Sequence, residues 1–111
     1  MNQNVKTELD RIVSTLAETG IVTKIILFGS YAKGEETTNS DIDLCVLTTI
    51  KDEGRRLTET SIEFRVKLLK VQNSALDLFT RNQDDFFYRA AYVGSLEHEI
   101  SEEGVVLYEH R

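Results

Sequence analysis

Two aspartates one residue apart, Asp41 and Asp43, open the apolar run Leu44-Cys45-Val46-Leu47. Ten residues separate them from Gly29-Ser30, which closes another such run, Ile25-Ile26-Leu27-Phe28. Alternate residues of a strand share a face, so the two carboxylates would stand side by side, about 6.5–7 Å apart at the Cα atoms by strand rise. Their oxygens can then converge on a hard cation, which takes oxygen ligands. Beyond Asp43 both faces turn apolar, and a carboxylate at the edge of a core is costly unless a metal or a strong donor pairs with it. Gly29-Ser30 suits an anion instead. Glycine lets backbone amides approach a phosphate, the Ser30 hydroxyl can donate, and a helical turn starting at Tyr31 and ending at Gly34 would aim its N-terminal end the same way. Each piece alone has an ordinary reading, as a turn or as a solvated Asp-x-Asp after Thr37-Thr38-Asn39-Ser40. Together, at this spacing between two apolar strands, they point to a nucleotide-and-metal site.

A third acid, Asp77, interrupts the apolar strand-like run Ala75-Leu76-Asp77-Leu78-Phe79. An unpaired charge there would cost several kcal/mol, so it needs either an ion pair with Arg65 or Lys67 or, the preferred reading, a shared metal with Asp41 and Asp43. Lys33, one turn beyond Ser30, either adds charge to the phosphate site or is simply solvated. Other chemistries find less support. His98 and His110 have no partners at zinc spacing, and the Gly-Ser turn lacks the Gly-Lys-Ser/Thr ending of a P-loop. Cys45 reads as a small core residue. Tyr31, Tyr88, Tyr92 and Tyr108 read as packing residues.

The elements that must position these groups follow from periodicity. Val5, Leu9, Ile12, Val13 and Leu16 recur at helical spacing with Gly20 as the stop. Strands are expected at Val22 to Phe28 and Ile42 to Thr48. Arg55 to Val71 fits both periods, and its length favours helix. Ile62, Val66 and Leu69 would give that helix a second apolar stripe, read here as core packing ahead of a partner surface. After the Asp77 strand, Thr80 and Gln83 match a capping box for a helix in which Asp84 and Asp85 occupy the first turn. Ser95 caps and Gly104 stops a last helix before a short strand, Val105 to Tyr108. Strands separated by helices predict an α/β domain.

At 111 residues with 41% hydrophobic content, the chain is expected to form one domain, residues 1–111, with a core of its own. No apolar run approaches a membrane span, and the polar start Met1-Asn2-Gln3-Asn4 is unlike a signal peptide, so a cytoplasmic location is expected. A net charge of −6 argues against direct nucleic-acid binding, which requires a basic face.

Gly29-Ser30-Tyr31-Ala32-Lys33-Gly34-Glu35 followed by Ser40-Asp41-Ile42-Asp43-Leu44 resembles the defining motif of the DNA polymerase β-type nucleotidyltransferase superfamily, specifically its minimal nucleotidyltransferases. The similarity continues through Leu76-Asp77-Leu78 and through Gly94-Ser95 to Gly104-Val105-Val106-Leu107-Tyr108-Glu109, with Ala75-Leu76-Asp77 departing from the frequent Pro-Val-Asp. The resemblance implies a polymerase β-like catalytic domain, a small mixed β-sheet flanked by helices, that uses ATP and two Mg²⁺ ions. It implies that Asp41 and Asp43 bind both ions and that Asp77 binds the catalytic one and receives the acceptor proton. Gly29, Ser30 and nearby amides would hold phosphates, with Lys33 as added charge. The chain is also similar to the antitoxin half of HEPN/MNT toxin–antitoxin pairs, which implies AMP transfer to a tyrosine of a HEPN toxin. Two other expectations stay open, a non-catalytic module acting by contact and a transferase for a small molecule. A homo-oligomer that completes the acceptor groove is compatible with all of them.

Overall fold

The computed structural model describes residues 1–110. In chain order the elements are α1 (Gln3–Ala17), β1 (Val22–Phe28), α2 (Ser30–Lys33), β2 (Ile42–Thr48), α3 (Arg56–Leu68), β3 (Leu76–Asn82), α4 (Gln83–Ala90), α5 (Leu96–Glu103) and β4 (Val105–Glu109). The strands form one sheet in the order β3-β2-β1-β4. β1 runs antiparallel to both β2 and β4, whereas β2 and β3 are parallel. A parallel pair needs a long crossover, and the segment carrying α3 supplies it.

Period-two alternation divides the sheet into two faces. Ile25, Leu27, Leu44, Val46 and Leu78 pack under α1 and α3, against Leu9, Ile12, Leu16, Phe64 and Leu68. On the opposite face Ile26, Cys45 and Leu47 meet Phe86 of α4 and Ile100 of α5. Helices on both sides are why β1 and β2 read as unbroken apolar runs rather than as alternating ones. Cys45 is wholly buried, and burial pushes its thiol up to about 12, so it is a packing residue with little thiolate chemistry.

α1 is capped by Asn2, whose side chain accepts from the Val5 amide. α5 begins at Ser95, which accepts from the His98 amide. Gly104 then lets α5 fold onto β1, because a Cβ there would collide with the Ile26 side chain and the Ile100 carbonyl.

Three sequence expectations change. β3 continues through Thr80-Arg81-Asn82 because it pairs with β2 along its whole length, from Ile42 opposite Leu76 to Thr48 opposite Asn82. The cap of α4 is therefore Asn82 rather than Thr80, and its side chain accepts from the Asp84 and Asp85 amides. The stripe Ile62, Val66 and Leu69 is exposed on α3 instead of packed in the core, and Tyr88 and Tyr92 are exposed as well. The last two form an edge-on pair whose hydroxyls lie 3.1 Å apart. No helix among the described residues is long and apolar enough to cross a membrane.

Candidate nucleotide and metal site

The chemistry-bearing residues gather at one end of the sheet, where β1 ends and β2 and β3 begin. Phe28 stands opposite Asp43 across the β1–β2 ladder, and Asp43 opposite Asp77 across the β2–β3 ladder. Residues paired in register share a face, so the two aspartates project from the face that also carries Cys45 and Phe79. Their Cα atoms are about one strand spacing apart, roughly 4.8 Å. Asp41 lies just ahead of β2 and is exposed. The starts of the two strands are tied together by the Ile42 amide, which donates to the Ala75 carbonyl at 2.9 Å. A turn in which the Ser40 hydroxyl accepts from the Thr37 amide at 2.8 Å shapes the approach to Asp41.

Burial first, and then repulsion from Asp77 and Asp41, raise the pKa of Asp43 above the ordinary carboxylate range. Among the described residues no ion pair involves Asp41, Asp43 or Asp77. Like charges facing one another without a counter-ion are destabilising, and an all-oxygen donor set is what a hard divalent cation requires. The residues therefore fit such an ion chemically. They are neighbours rather than a closed ligand cage: among the described residues no three His, Cys, Asp or Glu side chains are already grouped to hold a metal.

Asp77 requires a correction. It is exposed on an edge strand, so burial does not force a partner on it, and Arg65 instead donates to the Leu78 carbonyl at 3.0 Å.

The turn after β1 brings backbone against this carboxylate row. Gly29 has φ 74° and ψ −154°, a region essentially reserved for glycine, and a Cβ on it would run into the Asp43 carboxylate. Conformation and space both require glycine here. From Ser30 the chain makes the single helical turn of α2, its first bonds running from the Ala32 and Lys33 amides to the Gly29 carbonyl. The opening amides of such a turn have no acceptor within it, which leaves them available beside Asp43. The Lys33 ammonium pairs with Glu103 of α5 at 3.2 Å.

One positioning residue escaped the sequence reading. Glu8 of α1 is 3% exposed and accepts from the Asn73 amide (2.6 Å), the Ser74 amide (2.7 Å) and the Ser74 hydroxyl (2.7 Å), pinning the segment that leads into β3 and Asp77. The signal was present, since Glu8 falls on the Val5-Leu9-Ile12-Leu16 stripe where a charge is out of place. Burial pulls its pKa up, but the bonds from Ser74 and Asn73 and the charge of Arg11 outweigh that and leave it below the usual range. A depressed folded-state pKa contributes stability above the unfolded value of about 4.3, and that contribution is lost as pH falls through the folded value. Glu8→Ala removes the acceptor of two part-buried amides and a hydroxyl and is expected to cost about 1–3 kcal/mol. In urea melts the difference from the parent protein should be full at pH 7 and shrink below pH 4. A difference independent of pH would show that the carboxylate is not the tether.

Comparison with known proteins places this geometry. The sequence profile of the family described as Polymerase beta, Nucleotidyltransferase matches residues 10–111. A curated protein of Methanocaldococcus jannaschii, provisionally named a protein adenylyltransferase, is 32% identical over 80% of this chain and 81% of its own. Among solved structures, a chain of a toxin–antitoxin with AMP-PNP aligns over 92% of this chain and 73% of its own, with a TM-score of 0.57 and 22% identity. A chain from the complex of a tri-AMPylated Shewanella oneidensis HEPN toxin with MNT antitoxin aligns over 95% and 72%, with a TM-score of 0.56 and 21% identity. At that identity the structures speak to the fold, and it is the same fold. With the profile spanning nearly the whole chain and the Gly-Ser turn set against the carboxylate row, the protein belongs to the polymerase β nucleotidyltransferase family.

Proposed function

We propose that this nucleotidyltransferase moves AMP from ATP to a tyrosine hydroxyl of a HEPN-domain partner and thereby acts as that partner's antitoxin. The observation that carries the reading is the in-register pair Asp43 and Asp77, with the Asp43 carboxylate against the Gly29 turn. The name of the archaeal relative and the toxin–antitoxin context of the structural neighbours support the choice of nucleotide and acceptor.

In this reading the amides at the start of α2 and the Ser30 hydroxyl hold the triphosphate, with its α-phosphorus over the carboxylate row. Asp41, Asp43 and Asp77 would hold Mg²⁺, which when bound lowers the pKa of an attacking hydroxyl and stabilises departing pyrophosphate. The acceptor oxygen forms a bond to the α-phosphorus, the bond to the β-phosphate bridging oxygen breaks, and the Asp77 carboxylate receives the hydroxyl proton. The exposure of Asp77 suits that role, because a protein acceptor must reach it from outside.

The test is the intact mass of a HEPN partner co-expressed with this chain. The partner should gain whole AMP units, lose them when its acceptor tyrosine is changed to phenylalanine, and lose ribonuclease activity only when modified. Silencing of an unmodified partner, undiminished with Asp43→Asn, would contradict transfer and establish inhibition by contact.

A further inference from the structure

The outer edge of β3 carries two arginines anchored by main-chain carbonyls. The Ile42 amide takes the Ala75 carbonyl, so the alternate carbonyls of Leu78 and Thr80 turn away from β2, to the edge of the sheet. Each is met by a guanidinium. Arg65 of α3 donates to Leu78 at 3.0 Å, and Arg81 donates to Thr80 at 2.8 Å. The Arg81 guanidinium also stacks on the Phe79 ring, 3.6 Å from its centroid. A carbonyl occupies only part of the donor fork of a guanidinium, so both groups are held in place with donors free. Among the described residues neither arginine takes part in an ion pair, although acids outnumber Lys and Arg by 19 to 13 in this chain.

These arginines flank the acid that the proposed reaction uses. Asp77, Phe79 and Arg81 alternate along β3 and share a face, and Leu78, which Arg65 caps, follows Asp77 directly. By strand rise the two anchor points lie about 3–13 Å along the strand from Asp77. Charged side chains over the edge carbonyls close this edge to an added strand, so a molecule lying along it is read by side chains. Planar guanidiniums fixed in this way suit bidentate recognition of a carboxylate or phosphate. The surroundings of Arg65 decide between a polypeptide and a nucleic acid. Ile62 and Leu69 are its neighbours on the α3 surface by helical spacing, and they are 55% and 69% exposed. An anion site bordered by aliphatic side chains, in a chain of net charge −6, fits a protein segment with apolar and acidic side chains better than it fits a polyanion.

We infer that Arg65 and Arg81 form an acceptor-recognition edge, and that it selects a polypeptide carrying Asp or Glu within about four residues of the tyrosine delivered to Asp77, the span of an extended segment that reaches both guanidiniums. The inference rests on the proposed function for the presence of a tyrosine acceptor. It goes further by stating what the acceptor segment must carry and which residues of this chain read it.

Fluorescein-labelled peptides test it. They share one central tyrosine and flanking leucines, and differ only in carrying Glu, Gln or Lys at the polar positions around it. Binding to the parent protein, to Arg65→Gln/Arg81→Gln and to Arg65→Glu/Arg81→Glu is read by fluorescence anisotropy, with the melting temperature of each variant as the control for folding. The parent should bind the Glu peptide about tenfold more tightly than the Gln peptide, the scale of one hydrogen bond to a charged group, and the Lys peptide most weakly. The Gln variant should level the three affinities, and the Glu variant should invert their order. Equal binding of the Glu and Gln peptides by the parent, an order that survives in the Glu variant, or no binding of any peptide would overturn the inference. So would an RNA oligonucleotide that displaces the Glu peptide from the parent at an equal concentration, since the edge would then belong to nucleic acid. Failure of the two readings is distinguishable. AMP transfer to the partner with no peptide preference overturns the acidic edge alone, whereas the expected peptide order with no AMP transfer overturns the proposed function alone.

Discussion

Asparagine in place of Asp43 is expected to abolish transfer and, at the same time, to make the ligand-free protein more stable. Asp43 is half-buried, faces Asp77 directly across the ladder and has Asp41 two residues away, and burial with that repulsion raises its pKa. A like-charged cross-strand pair costs roughly 0.2–1 kcal/mol, so relieving it should raise the melting temperature by about 1–6 °C in a domain of this size.

The sign of the pH dependence follows from the same shift. A carboxylate whose folded-state pKa is raised opposes folding above that pKa, and the penalty vanishes as pH falls below the unfolded value of about 3.9. The extra stability of Asp43→Asn should therefore be greatest at neutral pH and absent near pH 3. Activity should move the other way by at least about a thousandfold, since several kcal/mol of transition-state charge stabilisation depend on the carboxylate set, at 1.36 kcal/mol per tenfold. Magnesium should raise the melting temperature of the parent and do so much less in the variant. Parallel loss of stability and activity would mean that Asp43 is a structural residue.

Gly29→Ala is expected to be nearly as damaging to activity and, unlike Asp43→Asn, to destabilise the fold. Its φ of 74° with ψ −154° costs a non-glycine residue about 1–3 kcal/mol, and the new methyl group meets the Asp43 carboxylate. Either the turn moves or Asp43 does. The expected result is a stability loss of about 2–3 kcal/mol in urea denaturation together with about a hundredfold loss of turnover, the scale of a misplacement of about 1 Å at a reacting centre. Gly34 is also at positive φ, but in the left-handed helical region, at φ 71° and ψ 21°, and a Cβ there meets nothing, so Gly34→Ala is the control for a milder backbone cost without the contact. Similar activity losses in the two variants would remove the contact with Asp43 from the account.

The parts of the molecule legible in the sequence are those whose local pattern and tertiary environment agree. β1 and β2 are buried on both faces, so their apolar runs mark their limits, and the Gly-Ser turn and Asp-x-Asp pair stand at the ends of those runs. α3 was separable from a strand because seventeen ambiguous residues exceed an ordinary strand.

What stayed hidden depends on contacts distant in sequence. Nothing local says that Thr80-Arg81-Asn82 remains extended, because the reason is the β2 ladder beside it. The exposure of Ile62, Val66 and Leu69 was hidden likewise, since Leu57, Phe64 and Leu68 already fill the buried face of α3. Glu8 illustrates the converse, a charge on an apolar stripe whose partners lie in a loop some sixty-five residues away. The in-register placement of Asp43 and Asp77 was expected only in outline, because register between parallel strands is fixed by the crossover and the core rather than by either strand alone.

Nucleotidyl transfer from the Asp43–Asp77 row stands or falls on one labelling experiment. Purified protein is incubated with Mg²⁺, host lysate and ATP labelled on either the α- or the γ-phosphate, beside an Asp43→Asn control. Protein-bound label from α-labelled ATP alone, absent in the control, is the predicted result, and the mass of the labelled species identifies the acceptor. Label retained from the γ-phosphate, or α-label transfer that persists in Asp43→Asn, would contradict it.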